Sequence, residues 1–197
     1  MHKVFISYHH HNDQQYKEAL IELGRESSMF IDRSVNTDDI SEEYEDDEIR
    51  RIIRDQYLED STVTIVLVGK ETKRRKHVDW EIFSSMYNGS VNKRSGVIVV
   101  NLPGTSNHIH AAYGDREKLL YPDVKSWTRI KSRTEYEKRY PYMPDRIIDN
   151  IMEPNAKISV IPWKEITRER LAFLINAAFN NRANCEYKLT PMRRANS

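Results

Sequence analysis

Val63-Thr64-Ile65-Val66-Leu67-Val68 is an unbroken run of strand-forming residues, and it leads into His77-Val78-Asp79-Trp80-Glu81-Ile82, where Val78, Ile82 and Met86 recur at helical spacing. A strand apolar on both sides followed by an amphipathic helix is the repeating unit of a parallel sheet covered on both faces. The same unit extends in both directions. Toward the N-terminus, residues 3–7 read as a first short strand, and Tyr16, Ala19, Leu20 and Leu23 mark a helix that stops at Gly24. Met29-Phe30-Ile31 reads as a second strand, and Ile49, Ile52, Ile53 and Tyr57 mark the next helix. Toward the C-terminus, Gly96-Val97-Ile98-Val99-Val100 and Ile158-Ser159-Val160-Ile161 read as two more strands, and Leu171, Leu174, Ile175 and Ala178 as a long closing helix. The pattern predicts an α/β fold: a flavodoxin-like three-layer sandwich with a central parallel sheet of about five strands.

Residues 102–150 interrupt this rhythm. Tyr113, Tyr121, Trp127, Tyr136, Tyr140 and Tyr142 alternate there with Pro103, Pro122, Pro141 and Pro144. The stretch is too long for a plain loop and reads as an inserted lobe of short helices before the last strand, beside the sheet's edge. Its aromatics read as a small core of their own, with an active-site wall as the alternative. Residues 1–188 then form a single domain, and residues 189–197 a loose tail.

Composition excludes several functions. At 197 residues the chain can bury a sizeable core, and 31 basic against 30 acidic side chains leave a net charge of +1. That balance gives no bulk attraction to nucleic acid or to an anionic membrane. The lone Cys185 cannot form an internal disulfide, no apolar run approaches the ~20 residues that span a bilayer, and the N-terminus lacks a signal peptide's apolar core. A cytoplasmic location is expected. The glycines at 24, 69, 89, 96, 104 and 114 fit neither a dinucleotide-binding GxGxxG nor a Walker A loop. The third strand ends in Leu67-Val68-Gly69-Lys70 and carries no phospho-acceptor aspartate.

Chemistry-bearing residues cluster around the first and third strands. On the helix of residues 77–86, His77, Glu81 and Ser84 share a flank beside the Val78, Ile82 and Met86 stripe, so Glu81 can reach a cleft from the rim. Taken alone, such a glutamate reads as solvated. Trp80 points opposite the core stripe and reads as a packing residue against the inserted lobe or a neighbouring protomer, or as a substrate contact. Ser7, Tyr8, His9, His10 and His11 end the first strand, where open α/β sheets bind ligands. Three histidines in a row cannot all face one ion, and no second cluster completes a tetrahedral set, so no metal is expected. His9 and His10 read as polar contacts to a ligand. The eight acids in residues 38–48 read as a solvated loop and an acidic first helical turn. Lys70, Lys73, Arg74, Arg75 and Lys76 read either as a solvated basic run or as a pyrophosphate contact.

Together, Phe5-Ile6-Ser7-Tyr8 and His77-Val78-Asp79-Trp80-Glu81-Ile82 resemble the TIR domain family, in particular the TIR-like domains of the bacterial Thoeris anti-phage system. In NAD-consuming TIR domains a catalytic glutamate stands four residues after an aromatic, near the start of the third helix, and is followed by an apolar residue. Glu81-Ile82 takes that place. His77 departs from the tryptophan usual in relatives, whereas Trp80 matches the TIR-like subgroup. The resemblance implies a nucleotide pocket bordered by Ser7, Tyr8, His9 and His10. It also makes Asp32 and Arg33 the start of the mobile BB loop, where the alternative is an ordinary salt bridge. The implied activity is cleavage of the nicotinamide–ribose bond of NAD, as substrate rather than cofactor, with formation of a cyclic ADP-ribose isomer. The implied partners are the effector ThsA, reached through that diffusible signal, a phage-derived trigger, and further protomers of a homo-oligomer. The alternative is a non-catalytic TIR scaffold. A nucleoside hydrolase on the same sheet would need a second carboxylate near the first strand, and none stands out.

Overall fold

The computed structural model describes residues 1–26, 29–32, 41, 43–128 and 130–196. Five strands, β1 (His2–Ser7), β2 (Phe30–Asp32), β3 (Val63–Val68), β4 (Gly96–Asn101) and β5 (Ser159–Pro162), form one sheet in the order β2-β1-β3-β4-β5. Every pairing in it is parallel. The helices are α1 (His10–Glu26), α2 (Asp46–Ile52), α3 (Lys76–Met86), α4 (Asp115–Lys118), α5 (Arg133–Arg139), α6 (Asp145–Ile151) and α7 (Arg168–Asn181). This is the flavodoxin-like α/β sandwich that the sequence predicts.

Alternation along each strand decides which layer a side chain joins. Val63, Ile65 and Leu67 face a core shared with Leu20 of α1 and with Leu171, Leu174, Ile175 and Ala178 of α7. Val66 and Val68, one residue out of step, face a second core with Val78, Ile82 and Met86 of α3 and Ile147, Ile148 and Ile151 of α6. A third cluster gathers Phe5, Ile49, Ile53, Leu58, Trp80 and Met192.

Three expectations need correction. Gly24 does not stop α1, which runs on to Glu26. It is a close-packing residue, since a Cβ there would meet the ring of Phe30 at 2.3 Å. The aromatics of residues 102–150 form no core of their own: Tyr121 and Trp127 extend the α1/α7 core, and Tyr136 and Tyr140 the α3/α6 core. The insertion also pairs His110 with Val160 in an antiparallel bridge, which covers the open edge of β5. A short segment beside a sheet edge gains more by joining existing cores than by building a third, because a small separate core buries too little surface.

Nor do residues 189–196 lie loose. Met192 is buried in the third cluster, Trp80 Nε1 donates to the Arg193 carbonyl at 2.7 Å, and the Arg193 amide donates to Asp79 at 2.8 Å. Arg146 of α6 clasps Asp79 with two nitrogens, at 2.8 and 2.9 Å, and donates to the carbonyls of Thr190 and Pro191. Asp79 therefore ties α3, the insertion and the strap of residues 189–196 together. Among the described residues, no helix is long and apolar enough to cross a membrane.

Candidate active site

In the order β2-β1-β3 the chain leaves β1 in one direction and returns to β3 on the other side, so a crevice opens beyond the C-terminal ends of β1 and β3. A cavity of about 230 Å³ lies there, lined by Tyr8, His9, His10, His11, Arg75, His77, Val78, Glu81 and Asn196. Two segments supply nearly all of it: the junction of β1 with α1, and the first turns of α3.

Glu81 is 1 % exposed, so the rim position read from the helix flank is wrong. Ser7 Oγ, at the last position of β1, donates to Glu81 Oε2 at 2.5 Å. Helical spacing could place Glu81 beside the apolar stripe, but it could not show that β1 covers that flank. A hydrogen bond to a carboxylate is stronger than a neutral one, and it holds this oxygen at the cavity wall. Ser7 is fully buried and stands behind Glu81, away from the cavity surface.

His9, 6 % exposed, precedes α1, and its Nδ1 accepts the Asn12 amide at 3.3 Å. Accepting at Nδ1 puts the ring's proton on Nε2. Nε2 is buried without a hydrogen-bond partner among the described residues. Burial lowers the pKa of His9, and the Arg75 guanidinium lowers it further, so the ring is neutral near pH 7. A neutral imidazole with an unused N–H at a cavity wall is a donor suited to an oxygen acceptor. His10 and His11 lie on the first turn of α1 rather than in a loop. His10 stacks on Tyr8 with ring centroids 4.4 Å apart, and the Tyr8 hydroxyl donates to Gln14 at 2.5 Å. His77 stacks on Trp80 at 4.7 Å.

The other predicted site residues lie elsewhere. Trp80 is fully buried beneath α2, in a cluster with Phe5, Ile49, Ile53, Leu58 and Met192. Ser84 is buried one turn beyond Glu81, outside the cavity lining. Asp32 pairs with Lys17 at 3.7 Å, off the cavity. Arg33 falls outside the described residues. Of the basic run, Lys73 pairs with Asp145 and Arg74 with Glu71, Lys76 is buried near Trp80, and Arg75 reaches the cavity.

Two residues escape a sequence reading: Asn196, which lines the cavity, and Asp13, which lies outside its lining. Asp13 of α1 is a buried carboxylate near the first strand, packed so closely on Gly69 that a Cβ there would meet it at 2.4 Å. Burial raises its pKa to about 6, against hydrogen bonds from Thr72 and from the backbone that lower it. Its sequence trace is the spacing of four from His9, which is weak by itself. Asn196, the other, donates nothing to any sequence pattern.

A neutral donor, an arginine and a held carboxylate around one cavity suit a ligand with anionic oxygens and a centre that develops positive charge. Comparison with curated proteins gives no match. The family model described as Thoeris protein ThsB, TIR-like domain, matches residues 5–107, more than half of the chain. The matched segment holds the end of β1 with α1, β3 and α3, and with them every cavity residue except Asn196. A five-stranded parallel sheet, a crevice at its switch point and this match agree: the chain belongs to the family of Thoeris ThsB TIR-like domains.

Proposed function

We propose that the protein is an infection-triggered enzyme of anti-phage defence that cleaves the nicotinamide–ribose bond of NAD and releases a cyclic ADP-ribose isomer, the signal for the effector ThsA. The observation that carries this reading is Glu81, a carboxylate held by Ser7 in the wall of the switch-point cavity. When the C1′–N1 bond breaks, its electron pair leaves with the nicotinamide nitrogen, and the ring becomes neutral. Positive charge passes to ribose C1′. A fixed carboxylate stabilises that charge electrostatically and can hold the ribose hydroxyls. Glycoside cleavage by carboxylates follows the same logic. Capture of C1′ by water, with loss of a proton, yields ADP-ribose; capture by a nucleophile of the same molecule closes a ring. His9 Nε2–H and Arg75 supply donors for the ribose or phosphate oxygens.

The cavity, at about 230 Å³, is smaller than the roughly 300–1,000 Å³ typical of ligand sites. It suits the nicotinamide–ribose end of the dinucleotide. A neighbouring protomer holds the remainder, and the trigger acts by bringing protomers together. Buried Trp80 takes no part in that contact.

Chromatography of NAD incubated with the protein, with and without extract from infected cells, tests the proposal. Expected with extract are free nicotinamide and a cyclic product, both missing for Glu81→Gln. Intact NAD under every condition leaves the chain a non-catalytic TIR scaffold.

A further inference from the structure

The first turn of α3 carries much of the cavity wall, yet it cannot hold its own end. A helix leaves its first four N–H groups without intrahelical partners, and a side chain at the N-cap usually accepts one of them. Here the N-cap is Arg75, which has no acceptor on its side chain and makes no capping bond. The amide of Lys76, the first residue of α3, donates instead to Asn196 Oδ1 at 2.9 Å, a partner 120 residues away. Asn196 also lines the cavity.

The strap that delivers Asn196 is anchored upstream. Met192 is buried, its amide donates to Asp46 at 3.1 Å, and Arg193 Nη1 donates to the Lys73 carbonyl at 2.7 Å. Arg194 pairs with Asp46 at 2.5 Å. These contacts fix residues 192–194 against α2 and α3, so Asn196 needs little further ordering to reach its place.

We infer that Asn196 is a positioning residue of the active site: its side-chain oxygen holds the Lys76 amide, and with it the N-terminal end of α3, whose cap and first two turns present Arg75, His77, Val78 and Glu81 to the cavity. The inference rests on the NAD-cleaving reading of that cavity. Asn196 acts through α3, and reaction geometry tolerates little misplacement.

Three proteins separate this role from simple packing: the wild type, Asn196→Ala, which removes the acceptor, and Asn196→Asp, which keeps an oxygen suited to a helix N-terminus. Hydrogen exchange of the Lys76 amide reads the contact without reference to activity, and nicotinamide release in the presence of infected-cell extract gives kcat and KM for NAD. Asn196→Ala should speed Lys76 exchange about tenfold and lower kcat roughly three- to tenfold, with KM and the unfolding midpoint changed little. Asn196→Asp should restore both exchange and kcat. Unchanged exchange in Asn196→Ala overturns the inference, as does faster exchange with wild-type kcat. A wild type that releases no nicotinamide refutes the NAD reading instead, and the exchange measurement still decides whether Asn196 holds α3.

Discussion

Ser7 of β1 donates to Glu81 at 2.5 Å and Ser159 of β5 donates to Glu117 at 2.7 Å, so two buried carboxylates of this chain are held by strand serines in nearly the same way. Their surroundings differ. Glu81 lines the crevice between the ends of β1 and β3, whereas Glu117, on α4 of the insertion, is sealed against the edge strand and lines no part of that crevice. Glu117 Oε2 also accepts the Tyr113 amide at 3.0 Å, its Oε1 is buried without a hydrogen-bond partner among the described residues, and burial pushes its pKa up to about 7. Burial and a serine partner therefore do not mark a reactive carboxylate. The place of each in the sheet's topology separates them: Glu81 lines the crevice at the switch point, where open α/β sheets bind ligands, and Glu117 does not.

The sharpest way to break this comparison is to neutralise each carboxylate in turn. Glu81→Gln keeps an oxygen that accepts from Ser7, so the fold should survive, while nicotinamide release should fall about 10²–10³-fold as the fixed charge is lost. Chromatography and a thermal melt of the same sample check both halves. Wild-type turnover in this variant would remove Glu81 from the chemistry.

Asp79, two residues before Glu81, is the architectural counterpart on α3. Arg146→Ala should destabilise the protein by about 3 kcal/mol, because it strands Asp79 beside the strap it organises. A denaturant titration measures this, and a loss under about 1 kcal/mol would show that the clasp is dispensable.

Glu117→Gln should leave turnover unchanged and alter the pH dependence of stability. The folded-state pKa of Glu117 lies above its ordinary 4.5, so between pH 4.5 and about 7 the native protein holds a proton that the unfolded chain has released. Wild-type stability thus falls as pH rises through that window, and the fall is complete above it. The glutamine variant lacks this fall and should exceed the wild type by about 2 kcal/mol at pH 8, with the difference fading at pH 5. Parallel urea curves at the two pH values would sink the assignment.

Smaller effects are expected farther from the charge. Ser7→Ala, which removes the donor but no charge, should lower kcat about tenfold. Asp32→Ala breaks a partly exposed pair with Lys17 and should change stability by less than about 1 kcal/mol with turnover intact. A large loss of turnover there would extend the site to the end of β2.

Much of the fold is legible in the sequence because local repetition writes it. The runs at residues 63–68 and 96–100 can be little else than doubly covered strands, and the stripe of Val78, Ile82 and Met86 orients α3 correctly. The end of β1 is marked by the same short-range geometry, whereas Glu81, which taken alone reads as solvated, stands out only through the resemblance to TIR domains. The periodicity of α3 also shows that Trp80 faces away from the sheet core, but it says nothing about what waits on that side.

By itself, then, the sequence determined the order of the elements, the parallel sheet and the two segments that meet at the crevice, all set by patterns a few residues long. The tertiary structure alone decided that Ser7 covers Glu81, that Trp80 is buried under α2 with Met192, that the insertion's aromatics join existing cores, and that Asn196 reaches the first amide of α3. Each of these is a contact between segments far apart in the chain. Periodicity records which face a residue presents, and the partner that fills that face is chosen only when the whole chain packs.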